Sequence, residues 1–400
     1  MRVHQPHRPL RAGVALVMTG LVAFTGARAA QADGGRCTFP AEPIAERPWA
    51  LQRLLLDQAW EHTKGAGVSV AVIDSGVDVT NPQLADAVAA DRGADLTDAD
   101  GDSTTDTVGH GTKVAGIIAA RAHPDTGFVG LAPEATIVPI RQNNADGSSN
   151  VATLAAAIRH AVAQDVDIIN VSQDTEAPPG EGSALEVAVR EALDADIVVV
   201  ASVGNEGADG ERRRTYPAAY EGVLAVAASD RNNERAPFSQ SGDFVGIAAP
   251  GVDMVSTVPG GGQCVDSGTS FAAPYVSGSA ALLRAARPDW SAREVVAHLQ
   301  QTAERAAPGP DPLTGWGVVD PVRALREAGG DPADAPVPDP PAPAPPAPEV
   351  PELSLGETHA ERAERLGTFV ILTGTVLVAA LAGAALIHRD WRRRSRRVGR

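Results

Sequence analysis

The sequence predicts an α/β protein, a mostly parallel sheet with helices on both faces, followed by one C-terminal transmembrane helix. Three observations carry this reading. Short β-branched apolar runs alternate with helical patterns through the body, the mark of βαβ units. Hydrophobic residues make up 44% and charged residues 21% of the 400, ordinary values for a globular chain. One uncharged apolar run near the C-terminus is long enough to cross a bilayer.

Taken in order, residues 1–32 read as a secretory signal peptide. Arg2, Arg8 and Arg11 precede an apolar stretch from Ala12 to about Gly26, and small residues at Ala27, Ala29, Ala30 and Ala32 offer cleavage sites. An uncleaved signal anchor is the alternative, but the apolar stretch is short for a span. Residues 33–48 form an N-terminal extension. Only 35 positions separate Asp33 from Val68, fewer than the roughly 40 residues a small domain needs to fold unaided. The extension is therefore expected to pack on the body and not to fold as a separate inhibitory prodomain.

The body, 49–328, carries strand-like runs at 68–73 (VSVAVI), 136–140 (TIVPI), 166–171 (VDIINV), 197–203 (IVVVASV) and 223–228 (VLAVAA). Helical patterns fall at 112–122, 151–164 and 183–194. Residues 329–366 read as a linker whose prolines favour stiff, extended polyproline II. Residues 367–387 (GTFVILTGTVLVAALAGAALI) form the span, and 388–400 a basic tail with seven arginines against Asp390. Positive charge stays cytoplasmic, so the body is expected outside the cell membrane and the tail inside.

The net charge is −16, but residues 33–366 hold 23 basic and 49 acidic side chains, a balance of −26. So acidic a body excludes nucleic acid as a partner. Cys37 and Cys264 are the two cysteines. In an exported chain they most simply form one disulfide, with two free thiols as the alternative.

Sites in parallel sheets lie beyond the carboxyl ends of the strands, and three such loops are notable. The first run ends in Asp74-Ser75-Gly76, a carboxylate that burial makes costly unless it is hydrogen-bonded. Gly109-His110-Gly111-Thr112 opens a helix with an imidazole able to shuttle protons near neutral pH. Ser267-Gly268-Thr269-Ser270 runs into an Ala-rich helix, where a serine is ordinarily a cap. Each signal is weak alone. The order Asp, His, Ser is that of subtilisin.

On VAVIDSGVD, GHGTKVAGIIAA, VASVGNEG and SGTSFAAPYVSG, the chain resembles the subtilisin-like serine proteases over about residues 49–328. The resemblance implies Ser270 as nucleophile, His110 as general base, Asp74 as its orienting partner and Asn205 as oxyanion donor. It implies protein or peptide substrates, no metal and no cofactor. The domain order, with CTFP near the mature N-terminus, resembles the mycosins, membrane-anchored proteases of type VII secretion systems. That implies the secretion machinery as a partner. One departure stands out. The family's substrate-lining strand usually reads Ser-x-Gly, and here it is Ser172-Gln173-Asp174. The missing glycine is expected to hinder pairing with a peptide backbone, and Asp174 reads either as favouring a basic residue in the substrate or as part of a solvated loop. The acidic stretch 91–106 is oxygen-rich enough for calcium but lacks EF-hand spacing, and reads first as a solvated loop.

Overall fold

The structure, a computed structural model, describes residues 37–97, 102–144, 150–176, 180, 182–305, 307–328, 333–340 and 356–395. The signal peptide expected over 1–32 lies outside them. Among the described residues, seven strands form one parallel sheet. They are β1 Ser69–Asp74, β2 Ala94–Asp95, β3 Thr136–Arg141, β4 Ile168–Val171, β5 Val198–Ser202, β6 Leu224–Ser229 and β7 Ile247–Pro250. Their order is β2-β3-β1-β4-β5-β6-β7. The chain leaves β1 toward one edge and returns to β4 on the other side, so the switch point lies between β1 and β4. An antiparallel hairpin, β8 Met254–Thr257 and β9 Gln263–Asp266, stands beside the sheet.

All six residues of β1 are buried, as an inner parallel strand requires. Alternate side chains enter two cores. Val70, Val72, Ile168, Val198 and Val200 pack with α3 (His110–Ala119) and α6 (Thr269–Ala286). Ala71, Ile73, Ile169, Val171 and Val199 pack with α4 (Val151–Ala163) and α5 (Ala184–Asp194). Short helices α1 (Trp49–Arg53), α2 (Leu56–Ala59) and α8 (Pro321–Glu327), with α7 (Ala292–Gln301), complete the first face. Helix starts follow their caps. Asn150 accepts from Thr153 N, Ser183 from Glu186 N, and Ser291 forms a capping box with Glu294.

The N-terminal extension lies along the β8–β9 hairpin. Ala41 N donates to Gly261 O at 3.0 Å, and Ile44 N to the Gln263 side chain at 2.8 Å. Cys37 and Cys264 are joined in a disulfide, with Cα atoms 6.0 Å apart.

The compact body continues to Pro340, past the residue 328 expected from the sequence. Val337 N donates to the Gln301 side chain and Asp339 N to Pro308 O. Arg305, its side chain only 5% exposed, makes a two-pronged bond to Asp339 at 2.7 and 2.9 Å. Residues 333–340 are thus docked and do not serve as spacer. Ending the chain after Ala328 should lower the unfolding midpoint relative to ending it after Pro340, because Arg305 loses the Asp339 carboxylate and the docked backbone bonds of Val337 and Asp339 go with it. Thermal unfolding of the two soluble forms checks this, and equal midpoints would contradict it.

In the second unit, α9 (His359–Ser395) is one continuous helix. Thr358 and Glu361 cap it reciprocally. It is longer than the expected 367–387 because the polar residues on both flanks stay helical, helped by pairs such as Asp390 with Arg394. By length and composition it is able to cross a membrane.

Candidate active site

β1 ends in Asp74, fully buried. Its carboxylate accepts from Ser75 N at 2.8 Å and meets His110 Nδ1 at 2.8 and 2.9 Å. These donors offset the cost of burying the charge. His110 is the first residue of α3, and glycine flanks it for steric reasons. Gly109 has φ +82°, and a Cβ there would strike the Phe39 ring of the extension; a Cβ on Gly111 would strike the Gly76 carbonyl. The helix start is pressed between the end of β1 and the extension.

Burial works against a charged His110, but the charge and hydrogen bond of Asp74, with Asp106 further off, outweigh it. The pKa of His110 is held above its ordinary value. In the sequence Asp106 does not stand out, and its segment reads first as a solvated loop. It is only 4% exposed and accepts from Ser75 Oγ, Val108 N, Gly109 N, Thr112 N and Thr112 Oγ1. Burial above all pushes its pKa up, with Asp74 adding to it and the Thr112 and Gly109 bonds opposing it. The available signal was an aspartate two residues before Val108, the spacing of an Asx turn. Asp106→Leu should cost about 2–4 kcal/mol, since it leaves several buried donors unpaired. Chemical denaturation checks this, and a loss under about 0.5 kcal/mol, the scale of an ordinary surface change, would contradict it.

Ser270 is the second residue of α6 and is mostly buried. Pro274 lies inside this helix, past its first turn. Having no N–H, it leaves the Ser270 carbonyl free of the helical ladder. Ser172 Oγ donates to that carbonyl at 2.9 Å instead. Ser172 in turn accepts from Asn170 Nδ2, whose Oδ1 accepts from Ser277 Oγ. A buried polar chain therefore locks the start of α6 onto β4.

Asn205, just after β5, accepts through Oδ1 from Thr269 N at 2.9 Å and Thr269 Oγ1 at 3.1 Å. Its carbonyl end is occupied, which leaves the amide nitrogen as the donor. A Cβ built on Gly268 would lie 3.1 Å from Ser270 Oγ and 3.7 Å from Asn205 Oδ1, so these residues converge. The Phe271 ring lies 5.3 Å from the His110 ring, centre to centre. Asp74, His110, Ser270 and Asn205 thus stand at one end of the sheet, around its switch point.

Ser172-Gln173-Asp174 follow β4 directly. Gln173 accepts from Gln142 Nε2, which also donates to Asn143 at 2.7 Å. A Cβ on Gly204 would lie 2.9 Å from Glu206 Oε2 and 3.1 Å from Asp174 Oδ2, so two carboxylates share the approach to Asn205. Desolvation by its neighbours, although the side chain is exposed, and then the charges of Glu206 and Glu176 push Asp174 up to about 6. The arrangement offers a hydroxyl, an imidazole with a carboxylate behind it, an amide donor and an acidic flank.

Residues 65–317 match the family model described as Peptidase_S8, Subtilase family. Subtilisin Savinase of Lederbergia lenta is 38% identical over 280 residues, 70% of this chain and 98% of that protein. Among solved structures, the MycP3 protease from the type VII (ESX-3) secretion system is 38% identical with a TM-score of 0.62, covering 72% of this chain and 89% of that one. MycP1 from Mycobacterium smegmatis is 30% identical with a TM-score of 0.65, covering 77% and 91%. The model match spans more than half of the chain, and the fold and motif order agree with it, so this protein belongs to the subtilase family of serine proteases.

Proposed function

We propose that the protein is a membrane-anchored, extracytoplasmic serine endopeptidase of restricted specificity that processes proteins exported by a type VII secretion system. The observation that carries the chemistry is the Asp74–His110 pair, whose imidazole lies 5.3 Å from the ring of Phe271, the residue after Ser270, with Asn205 held by Thr269 on the other side of Ser270 in the chain. His110 takes the Ser270 proton as the hydroxyl attacks the scissile carbonyl, then gives it to the leaving amine. Asp74 holds the imidazole tautomer and stabilises the imidazolium. Asn205 Nδ2 and the Ser270 backbone amide receive the developing oxyanion. The secretion context is supported by the similarity to MycP proteases and by the signal-like N-terminus followed by a single C-terminal span.

Orientation follows from charge. The seven arginines after the span stay cytoplasmic, and the body stands outside on the proline-rich stretch. Ending the chain at about Val350 should release a folded, soluble domain into the medium. Protease added to intact cells with any outer envelope permeabilised should remove the body and spare a small tail fragment; a protected body would reverse the assigned topology.

Restricted specificity rests on Asp174 with Glu206. Ionised above a pKa of about 6, Asp174 should favour a basic residue near the cleaved bond. The preference for Arg over Ala peptides should grow with rising pH through that point, reaching about tenfold, or ~1.4 kcal/mol. A pH-independent ratio would remove Asp174 from this role.

A second reading is a component of the secretion complex whose protease fold matters more than its activity. It is favoured by the aspartate in place of cleft glycine and by Gln173 tied to Gln142. Comparing cells carrying wild type or Ser270→Ala separates the two. The first predicts export with processing lost; the second predicts export and processing both unchanged.

A further inference from the structure

We infer that the ion pair between Lys113 and Asp266 is a positioning device that sets His110 against the start of α6, an inference that rests on the catalytic reading above. Lys113 lies three residues after His110 on α3, so the two share a face. Its Nζ donates to Asp266 Oδ2 at 2.8 Å, and its side chain is only 9% exposed. A lysine is seldom so buried unless it is paired. Asp266 is the last residue of β9, four positions before Ser270, and its other oxygen accepts from Ser267 N at 2.9 Å. One carboxylate thus fastens the strand that leads to Ser270, and the loop after it, to the helix that carries His110.

The aromatic contact completes the device. The Lys113 ammonium lies 5.9 Å from the centre of the Phe271 ring, which is buried and lies 5.3 Å from the His110 ring. A poorly hydrated cation over a ring is attracted to it. Lys113, Phe271 and His110 form a stack anchored at its far end by Asp266. Without the ion pair, α3 and α6 keep their apolar packing, and α3 keeps the bonds its carbonyls accept from Ser256 and Thr257, but the side-chain link from the His110 helix to the strand leading into Ser270 is lost.

The same lysine acts through its charge. His110 is faced by Asp74 from β1, by Asp106 from the loop before α3 and by Lys113 from α3 itself. The two carboxylates favour the imidazolium and Lys113 disfavours it. Asp266 tempers Lys113 in turn. Removing the lysine should therefore make His110 hold its proton to higher pH, and neutralising Asp266 should have the opposite effect.

The test uses the full chain in detergent as wild type, Lys113→Met, Asp266→Asn and Lys113→Arg. Inactivation by a fluorophosphonate is followed against inhibitor concentration and pH. Lys113→Met and Asp266→Asn should each slow the limiting step by about tenfold, since a displacement of ~1 Å at such a centre costs up to ~10²-fold. The saturation constant should stay the same, and Lys113→Arg should restore most of the rate. The acid limb should move to higher pH in Lys113→Met and to lower pH in Asp266→Asn, shifts that loss of packing alone does not produce. The His110 titration, followed by NMR of labelled histidines in a Ser270→Ala background, should move in the same two directions. That readout does not depend on Ser270 acting as nucleophile, so failure of the catalytic reading and failure of this one are told apart. A His110 titration unmoved in both variants, or limiting rates equal to wild type, would overturn the inference.

Discussion

His110→Ala, Ser270→Ala and the double variant should each lose peptide hydrolysis by about 10⁶-fold in kcat, the scale known for subtilisin itself. The double variant should lose no more than either single one. The reason is geometric. His110 has no base function without a serine proton to take, and Ser270 is a weak nucleophile without His110. Asp74→Asn should cost less, about 10⁴-fold, because the imidazole remains but in the wrong tautomer. Asn205→Ala should lower kcat by about 10²–10³ with KM little changed, since its Nδ2 meets the oxyanion only as charge develops. Losses that add independently across these positions would mean that the residues do not act as one unit. Because Asp74 and Asp106 hold the pKa of His110 above its ordinary value, the acid limb of kcat/KM should lie above that of a free histidine. The same raised pKa adds stability below the unfolded histidine pKa, which is lost as pH rises through the folded one.

The second large effect concerns the disulfide. Cys37 and Cys264 are 227 positions apart, so their bridge closes most of the body into one loop. Cys264→Ser should destabilise the protein by about 2–5 kcal/mol, most of it through the freed unfolded chain. The loss should extend to activity. β9 carries Cys264 and Asp266 and leads directly to Ser267-Gly268-Thr269-Ser270, while Phe39 of the tethered extension covers Gly109 beside His110. Urea unfolding of wild type and variant checks the first expectation, and the rate of fluorophosphonate labelling the second. Equal stability under oxidising and reducing conditions would show that the bridge contributes nothing.

The sheet was legible where strands are buried on both faces. β1, β3, β4, β5 and β6 read as continuous β-branched or alanine-rich runs because neither side meets water. β7 and the β8–β9 hairpin did not. β7 ends in Pro250, which a strand tolerates at a sheet edge, and β9 alternates buried Gln263 with exposed Val265, so hydropathy is silent. The capping box of Ser291 and Glu294 was present in the sequence, yet the helix it opens was not assigned.

Within the candidate site, Asp74, His110, Asn205 and Ser270 stand out in the sequence because each lies at or just past the end of an apolar strand or at the start of a helix. Their supports were not. Asp106 reads as one more acid in an acidic loop, and only the fold shows it turned inward. The Lys113–Asp266 pair joins residues 153 positions apart, beyond any local pattern. Ser172 was expected to bind substrate; its hydroxyl is engaged with the Ser270 carbonyl, a bond made possible by Pro274 four residues further on. Local chemistry marks the candidate reactive groups, whereas the groups that hold them are set by contacts across the sheet.

The central claim is that Ser270 is the nucleophile activated by His110, and an adduct map tests it most directly. The full chain is treated with a fluorophosphonate at neutral pH and digested, and the modified residue is identified by mass spectrometry. The account predicts one adduct, on Ser270, absent from Ser270→Ala and strongly slowed in His110→Ala. An adduct on another residue, or equal labelling of wild type and Ser270→Ala, would contradict it.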